Sequence, residues 1–508
     1  MCAASVSNTL GIEVSLVQNS PCCPHGPTLL FERFNGKRKK QRYYACSACR
    51  DRKDCSFYQL ADEKVSEAKL TSREELNRSQ QPWTSHEHFF QRMQDTKDLS
   101  PSERKFCQSC SLLLRPQEVQ THSKHKIKAD LTDAILGQPS HLLLPLEDNK
   151  TNAQYLFSKT ATEFLISTIK RLGYDRVLCV GSPRLHEMIQ SEASSDLSSL
   201  LLDIDHRYGQ FYPPSLFCRY NMFNDHFLDG AKSRTICEDF LHRNHGNGIV
   251  MVTDPPFGGR VEILAEVIQR MMGRWTMGLQ DLGSTAKLPL IWIFPYFLEQ
   301  RILDSFPSFT MLDYKVDYDN HPLFQSNKKK ARKKGSPVRV FTNLQPSEIH
   351  LPLDEGYRFC KACKRYVAEE NLHCTQCNSC TSKDGSTYKH CKDCQRCVKP
   401  GYVHCTVCQR CELPDHQCNR QSMGCHICGS LTHKRKECTD QSRTAKRLLC
   451  TVCCRVNLTF VSRQFVTTKI VRVSPSLTNL IVVIQKLKMS LVMGRIAVDC
   501  ELLLLPWA

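Results

Sequence analysis

The stretch Gly248-Ile-Val-Met-Val-Thr-Asp-Pro-Pro-Phe257 decides how this chain folds. Ile249 to Thr253 form an unbroken apolar and β-branched run, bounded by Gly248 on one side and by two prolines on the other. Such a run reads as a strand buried on both faces. Pro255 and Pro256 cannot continue a sheet and fix φ in the turn that follows. The Asp254 side chain and the Pro255 carbonyl are thereby pre-set at the strand's C-terminal end. A carboxylate and a held carbonyl can accept the two N–H bonds of an exocyclic amine, whose lone pair is delocalised into its ring. Aligning that amine with an electrophilic methyl group is catalysis by positioning. Phe257 then suits stacking on a flipped or unpaired base. Asp-Pro pairs also initiate ordinary turns, so the motif draws its weight from its surroundings.

Those surroundings are strands alternating with helical patterns. Arg176-Val-Leu-Cys-Val-Gly181 reads as a buried strand ending in a glycine, followed by Ser182-Pro183-Arg184 and a helix. Gly181 lets the backbone approach a ligand closely. Ser199-Leu-Leu-Leu-Asp-Ile-Asp205 is a second buried strand ending in acids, where α/β nucleotide sites bind ribose hydroxyls. Asp203 is favoured for that role, with helix capping the other use for an acid here. Leu216–Met222 gives a third strand, and Asn221 and Met222 at its end are candidates to flank a cofactor adenine. Core packing is the competing use of Met222. Further strands are expected at Leu288–Phe294 and Val338–Thr342. The class is α/β, a Rossmann-like domain over residues 150–345.

With 508 residues the chain is too long for one core. A composition of 41% hydrophobic and 24% charged residues excludes collagen-like, wholly disordered and polytopic membrane chains. The formal charge of +18 points to a polyanionic partner, nucleic acid before membrane. The first Lys or Arg is Arg33, so no basic leader region is expected at the N-terminus. Thirty cysteines in a chain read as lacking a secretory signal indicate metal rather than disulfides. Eighteen of them lie between Cys360 and Cys454.

Their spacings give several zinc modules. Residues 20–60 hold Cys23-x-His25, Cys46 and Cys55, with Cys22 and Cys49 as spares. Residues 61–105 are a polar connector with Trp83 and the His86/His88 pair. Residues 106–127 carry Cys107-x2-Cys110-x11-His122-x2-His125, a two-Cys, two-His finger. Residues 357–420 form a cysteine-rich array. Its units are Cys360-x2-Cys363, His373-Cys374-x2-Cys377-x2-Cys380, His390-Cys391-x2-Cys394-x2-Cys397 and His404-Cys405-x2-Cys408-x2-Cys411, followed by His416 and Cys418. These sixteen ligands suffice for up to about four tetrahedral ions; about three are expected, with sharing between units left open. The array has too few apolar residues to fold without metal. Residues 421–440 contain Cys425-x2-Cys428-x4-His433-x4-Cys438, the spacing of a zinc knuckle, a module that binds single-stranded RNA. Lys434-Arg435-Lys436 inside it suits phosphate contact. The basic runs Lys37–Lys40 and Lys328–Lys334 read as phosphate-contacting or import segments, or as solvated loops. Residues 441–508 are a tail that fits none of these patterns.

Strand-Gly181, strand-Asp203 and Asp254-Pro255-Pro256-Phe257, in that order, resemble the N6-adenine methyltransferases that use S-adenosylmethionine. Gln154-Tyr155-Leu156-Phe157-Ser158 resembles the aromatic-Ser segment that precedes the first strand and contacts the cofactor in related enzymes. The first zinc unit, with Asn35-Gly36-Lys37-Arg38, Arg42-Tyr43-Tyr44-Ala-Cys46 and Cys55-Ser-Phe57-Tyr58, resembles a GRF-type finger. Module by module, the chain resembles the CCHC-type zinc-finger rRNA adenine N6-methyltransferases. That resemblance implies methyl transfer from S-adenosylmethionine to adenosine N6 of large-subunit, 28S-type ribosomal RNA. It also implies several structural Zn2+ ions and a nucleolar and nuclear setting, with a cytoplasmic share. Ribosomal RNA is the expected partner, with other RNAs and ribosome-biogenesis proteins secondary and no membrane. A protein Lys or Gln methyltransferase and a non-catalytic RNA-binding scaffold are the competing readings.

Overall fold

The computed structural model describes residues 12–34, 40–49, 52, 54–145, 154–191, 196–279, 286–320 and 336–418, together with the backbone of three strands between 469 and 506. The zinc-knuckle ligands Cys425, Cys428, His433 and Cys438 and the basic run Lys328–Lys334 lie outside the described residues, as do Lys37 to Lys39.

At the centre is an eight-stranded sheet. Its strands are β1 (Arg176–Val180), β2 (Ser198–Asp203), β3 (Phe217–Asn221), β4 (His226–Phe227), β5 (Ile249–Thr253), β6 (Leu290–Pro295), β7 (Thr310–Met311) and β8 (Val338–Thr342). They lie in the order β4-β3-β2-β1-β5-β6-β8-β7. β3, β2, β1, β5 and β6 are parallel, whereas β4, β8 and β7 join antiparallel. Every strand expected from the sequence is present; the short β4 and β7 had no run long enough to announce them.

Burial on both faces explains the apolar runs. In a strand, successive side chains point to opposite faces. Val177, Cys179, Val250, Val252, Ile291 and Ile293 therefore join one core, with Leu165 and Ile169 of helix α1 (Lys159–Arg171) and Leu185 of α2 (Pro183–Ser191). Leu178, Val180, Ile249, Met251, Leu290 and Trp292 join the other, with Phe240 of α3 (Ala231–His242) and Leu264, Ile268 and Met271 of α4 (Val261–Met277). Between β1 and β5 the direction of strand addition reverses. That switch point opens a crevice at the carboxyl ends of the strands.

The small modules pack onto this sheet. The first finger is a four-stranded antiparallel sheet whose Val14 and Leu29 meet Ile263 of α4. Helix His86–Lys97 of the connector lies against residues 206–217: His86 shares a 2.8 Å hydrogen bond with the Tyr212 carbonyl, and Phe89 stacks on His206. The second finger is clasped by Gln210, which accepts from Leu113 N at 2.9 Å and donates to Ser111 O at 2.9 Å. The first hairpin of the array docks on residues 311–315, where Asp313 accepts from Ala368 N and from Asn371. Residues 445–508 form a separate unit, whose described backbone is an antiparallel sheet of Lys469–Val471, Leu480–Val492 and Arg495–Pro506. Among the described residues no helix is long and apolar enough to cross a membrane.

Candidate active site and metal centres

The crevice at the switch point holds a cavity open to solvent. Gly181, Asp203, Asp205, Asn221, Met222, Asp254 and Pro256 line it, with Tyr155 and Gln154 from the segment before α1. Residues spread over a hundred positions meet here because β1, β2, β3 and β5 all end on the same edge.

Gly181 is held at φ +64°, and its N–H donates to Leu202 O. A Cβ there would lie 2.4 Å from Met222 Cε and 3.2 Å from Asp254 O. The left-handed φ favours glycine, and the fixed Asp254 carbonyl leaves little room for a side chain. Asp254 N–H donates to Val180 O at 3.1 Å, which ties the Asp-Pro-Pro turn to the end of β1. The Asp254 carboxylate accepts a 2.9 Å bond from the Tyr318 hydroxyl. Burial pushes the Asp254 carboxyl well above the usual range, and the Tyr318 hydroxyl partly offsets this. Phe257 is half-buried, stacked toward Tyr155 at 6.4 Å and edge-on to Tyr318 at 5.8 Å.

The two acids after β2 separate in role. Asp205 is buried and faces the Arg207 guanidinium at 2.7 to 3.0 Å. Burial alone would raise it, but Arg207 outweighs burial and holds it below its ordinary value. Its side chain also caps the turn at Arg207 N. Asp203 accepts Asp205 N–H at 2.9 Å. Burial, with the neighbouring Asp205 charge, pushes Asp203 up to about 7.

Several expected residues serve other ends. Phe157 is core, 1% exposed, and bridges Tyr318, while Ser158 caps α1 by accepting Ala161 N–H. Leu156 N–H donates to Asn320 Oδ1. Of the four residues Tyr155 to Ser158, only Tyr155 is in the cavity wall. The Asn221 amide is committed elsewhere: Oδ1 accepts Phe223 N–H, and Nδ2 donates to His25 O at 2.8 Å and Ser47 Oγ at 2.9 Å. Met222 lines the cavity and also packs on the core. Nothing local marks Tyr318, Ala48 or Tyr208 as site residues: Tyr318 lies 64 positions from Asp254, Ala48 belongs to the first finger, and Tyr208 sits in the short turn that Asp205 caps.

The Cys/His residues gather into compact sets whose ligand atoms lie within 4.8 Å of one another. These are Cys23, His25, Cys46 and Cys55; Cys107, Cys110, His122 and His125; Cys360, Cys363, His373 and Cys380; Cys374, Cys377, His390 and Cys397; and Cys391, Cys394, His404 and Cys411. In a further set, Cys405 meets Cys418 at 3.5 Å, and His416 lies 3.3 Å from Cys408 and 3.4 Å from Cys418. The array thus makes four sets rather than the expected three. The reason is strand alternation. His373 pairs across its hairpin with Cys380, while the adjacent Cys374 points the other way. His390–Cys397 and His404–Cys411 repeat the register. Each hairpin therefore gives its His and last Cys to the preceding set and its Cys-x2-Cys to the next.

The donor sets fit zinc. Three thiolates and one imidazole, or two of each, are tetrahedral zinc ligands. The turns are built for thiolate: Cys377, Cys394 and Cys408 donate their N–H to Cys374, Cys391 and Cys405. Those bonds are the leading cause that lowers Cys374 and Cys391 to about 7 and Cys405 to about 6. Lys364, Asn378, Gln395 and Gln409, each just after a Cys-x2-Cys, take the positive φ that closes the turn.

With this geometry in view, the likenesses to known proteins are specific. A family described as "Probable N6-adenine methyltransferase" matches residues 148–325. The chain is 52% identical over 454 residues to rRNA N(6)-adenosine-methyltransferase ZCCHC4 of Homo sapiens, covering 88% of each chain. It is 53% identical to the Mus musculus protein of that name over 84% of this chain and 85% of the relative, and 51% identical to that of Xenopus tropicalis over 86% and 90%.

Proposed function

This chain belongs to the rRNA N6-adenosine methyltransferase family, and from that premise we propose that it methylates N6 of an adenosine in large-subunit ribosomal RNA. The observation that carries the reading is the meeting of Asp254 and Pro256, from the Asp-Pro-Pro-Phe turn, with Gly181 and Asp203 around one cavity at the sheet's switch point. When bound, S-adenosylmethionine supplies an electrophilic methyl on sulfur. Gly181 lets the backbone close on that ligand, Asp203 receives ribose hydroxyls, and Met222 flanks the adenine. At the other end, Asp254 and the Pro255 carbonyl accept the N6 hydrogens of the target base. This fixes the amine's orientation and leaves its lone pair toward the methyl. Phe257 and Tyr155 offer the base aromatic surface. Tyr318, by donating to Asp254, orients the carboxyl and offsets part of the burial that raises it.

The fingers and the array flank the catalytic sheet, and the formal charge of +18 favours a polyanionic strand. Other RNAs and ribosome-biogenesis proteins are further partners in this reading, in a nuclear and nucleolar setting with a cytoplasmic share. The test is transfer of labelled methyl from S-adenosylmethionine to total RNA by wild type and Asp254→Ala, with the product nucleosides identified. N6-methyladenosine in the large rRNA is expected, reduced by about 10²-fold or more in the variant. Equal transfer by both proteins, or none to RNA by a folded, zinc-loaded wild type, would overturn the assignment.

A further inference from the structure

We propose that the metal set of the first finger, Cys23, His25, Cys46 and Cys55, is part of the cofactor site: by fixing the Ser47–Ala48 turn it sets cofactor affinity. This rests on reading the switch-point cavity as the S-adenosylmethionine site.

Ala48 is the one residue from outside the catalytic domain in the cavity wall, among the described residues. It sits between Cys46, a ligand, and Cys49, whose N–H donates to Cys46 Sγ at 3.4 Å. Two buried asparagines of the sheet hold this part of the finger. Asn221 Nδ2 donates to His25 O and Ser47 Oγ, and Asn224 Nδ2 donates to His25 O at 3.1 Å and Pro27 O at 2.7 Å. Their relative exposures are 1% and 5%, so water cannot replace those bonds. Gly26 closes on His226 so tightly that a Cβ would lie 2.3 Å from the ring. His25 therefore presents its ring to the metal set and its carbonyl to both asparagines.

Asn221 carries the coupling into the cavity. Its Oδ1 accepts Phe223 N–H at 3.0 Å, and Met222 and Phe223 both line the wall. Releasing the finger turn removes Ala48 and leaves the Asn221 amide unpaired beside those residues. The remainder of the finger has its own anchor in the Val14, Leu29 and Ile263 cluster. Metal loss here is accordingly a local event at the cavity. Among the described residues, no wall residue lies within two positions of a ligand of any other metal set.

The experiment is calorimetric binding of S-adenosylhomocysteine to the full chain, with zinc per chain measured alongside. Cys55→Ser is expected to lose zinc and raise Kd by about tenfold or more. Cys391→Ser, in the array, is expected to lose zinc with Kd unchanged. Ala48→Trp is expected to retain all its zinc yet bind weakly, which separates the wall from the metal and from misfolding. Cys55→Ser without its zinc but with wild-type Kd would overturn the proposal, as would equal weakening in Cys391→Ser. Asp203→Ala serves as the reference for the site itself. If wild type fails to bind, or Asp203→Ala binds as wild type does, the cofactor reading fails. If Asp203→Ala weakens binding and Cys55→Ser does not, only the finger's role fails.

Discussion

Asp203 shows how a single residue's surroundings turn into a measurable dependence. Burial pushes its carboxyl up to about 7. It is protonated below that value and ionised above it, and only the ionised form accepts from both ribose hydroxyls. S-adenosylhomocysteine affinity should therefore rise between about pH 6 and pH 8. Asp203→Asn should bind more weakly and lose that rise, as calorimetry across the range would reveal. A flat wild-type profile would remove Asp203 from the ribose role. At this scale the sequence was informative where one residue type alone fits. Gly181 combines a left-handed φ with a close approach to the Asp254 carbonyl, and two prolines fix the turn at Asp254. It was silent where a side chain's use depends on a distant partner. Nothing local to Tyr318 points to Asp254, 64 residues away, and nothing local to Asn221 points to the carbonyl of His25.

Among the elements, the array's hairpins show what spacing does and does not carry. Cys-x2-Cys turns are legible because one turn must present both thiolates to one ion. Which His completes each set depends on strand register, and a hairpin of a few residues has too short a hydrophobic pattern to specify that register. Because each hairpin is gripped by two successive sets, their stabilities are coupled. Cys377→Ser, within the second set of the array, should release roughly two zinc equivalents rather than one. It should also make residues 357–418 sensitive to protease. Metal analysis and limited proteolysis check both, and loss of a single equivalent with the array still resistant would show that the sets are independent. The central strands were easier to read, since burial on both faces demands long apolar runs such as Ile249–Thr253 and Leu290–Phe294.

For the whole molecule, the arrangement of modules around the catalytic sheet rests on a few buried polar links. Arg207 joins three parts: it pairs with Asp205, donates to Gln154 Oε1 at 3.0 Å beside the cavity, and reaches Ser111 Oγ of the second finger. Its side chain and that of Asp205 are 6% and 5% exposed. Removing one partner leaves the other charge buried and unpaired, so Arg207→Ala should cost about 3–5 kcal/mol in a denaturant or thermal unfolding measurement. The sign with pH follows from the depressed Asp205 carboxyl. Its stabilisation is complete above the ordinary carboxylate range and is lost as pH falls through the lowered value, so the variant should show a shallower acid-side decline. An unchanged midpoint would mean that the modules are held by other contacts. The sequence by itself determined the α/β class, the chemistry of the Asp-Pro-Pro-Phe turn and the presence of several zinc modules. Each of these is local: a buried run, a fixed φ or a ligand pair within one turn. Only the tertiary structure decided that a finger supplies part of the cavity wall, that Asp205 serves Arg207 while Asp203 faces the crevice, and how the array's ligands pair. Those outcomes depend on which surfaces meet and on strand register: the finger is held at the wall by Asn221 and His25, 196 positions apart, and the array's ligands pair through hairpins too short to specify their own register.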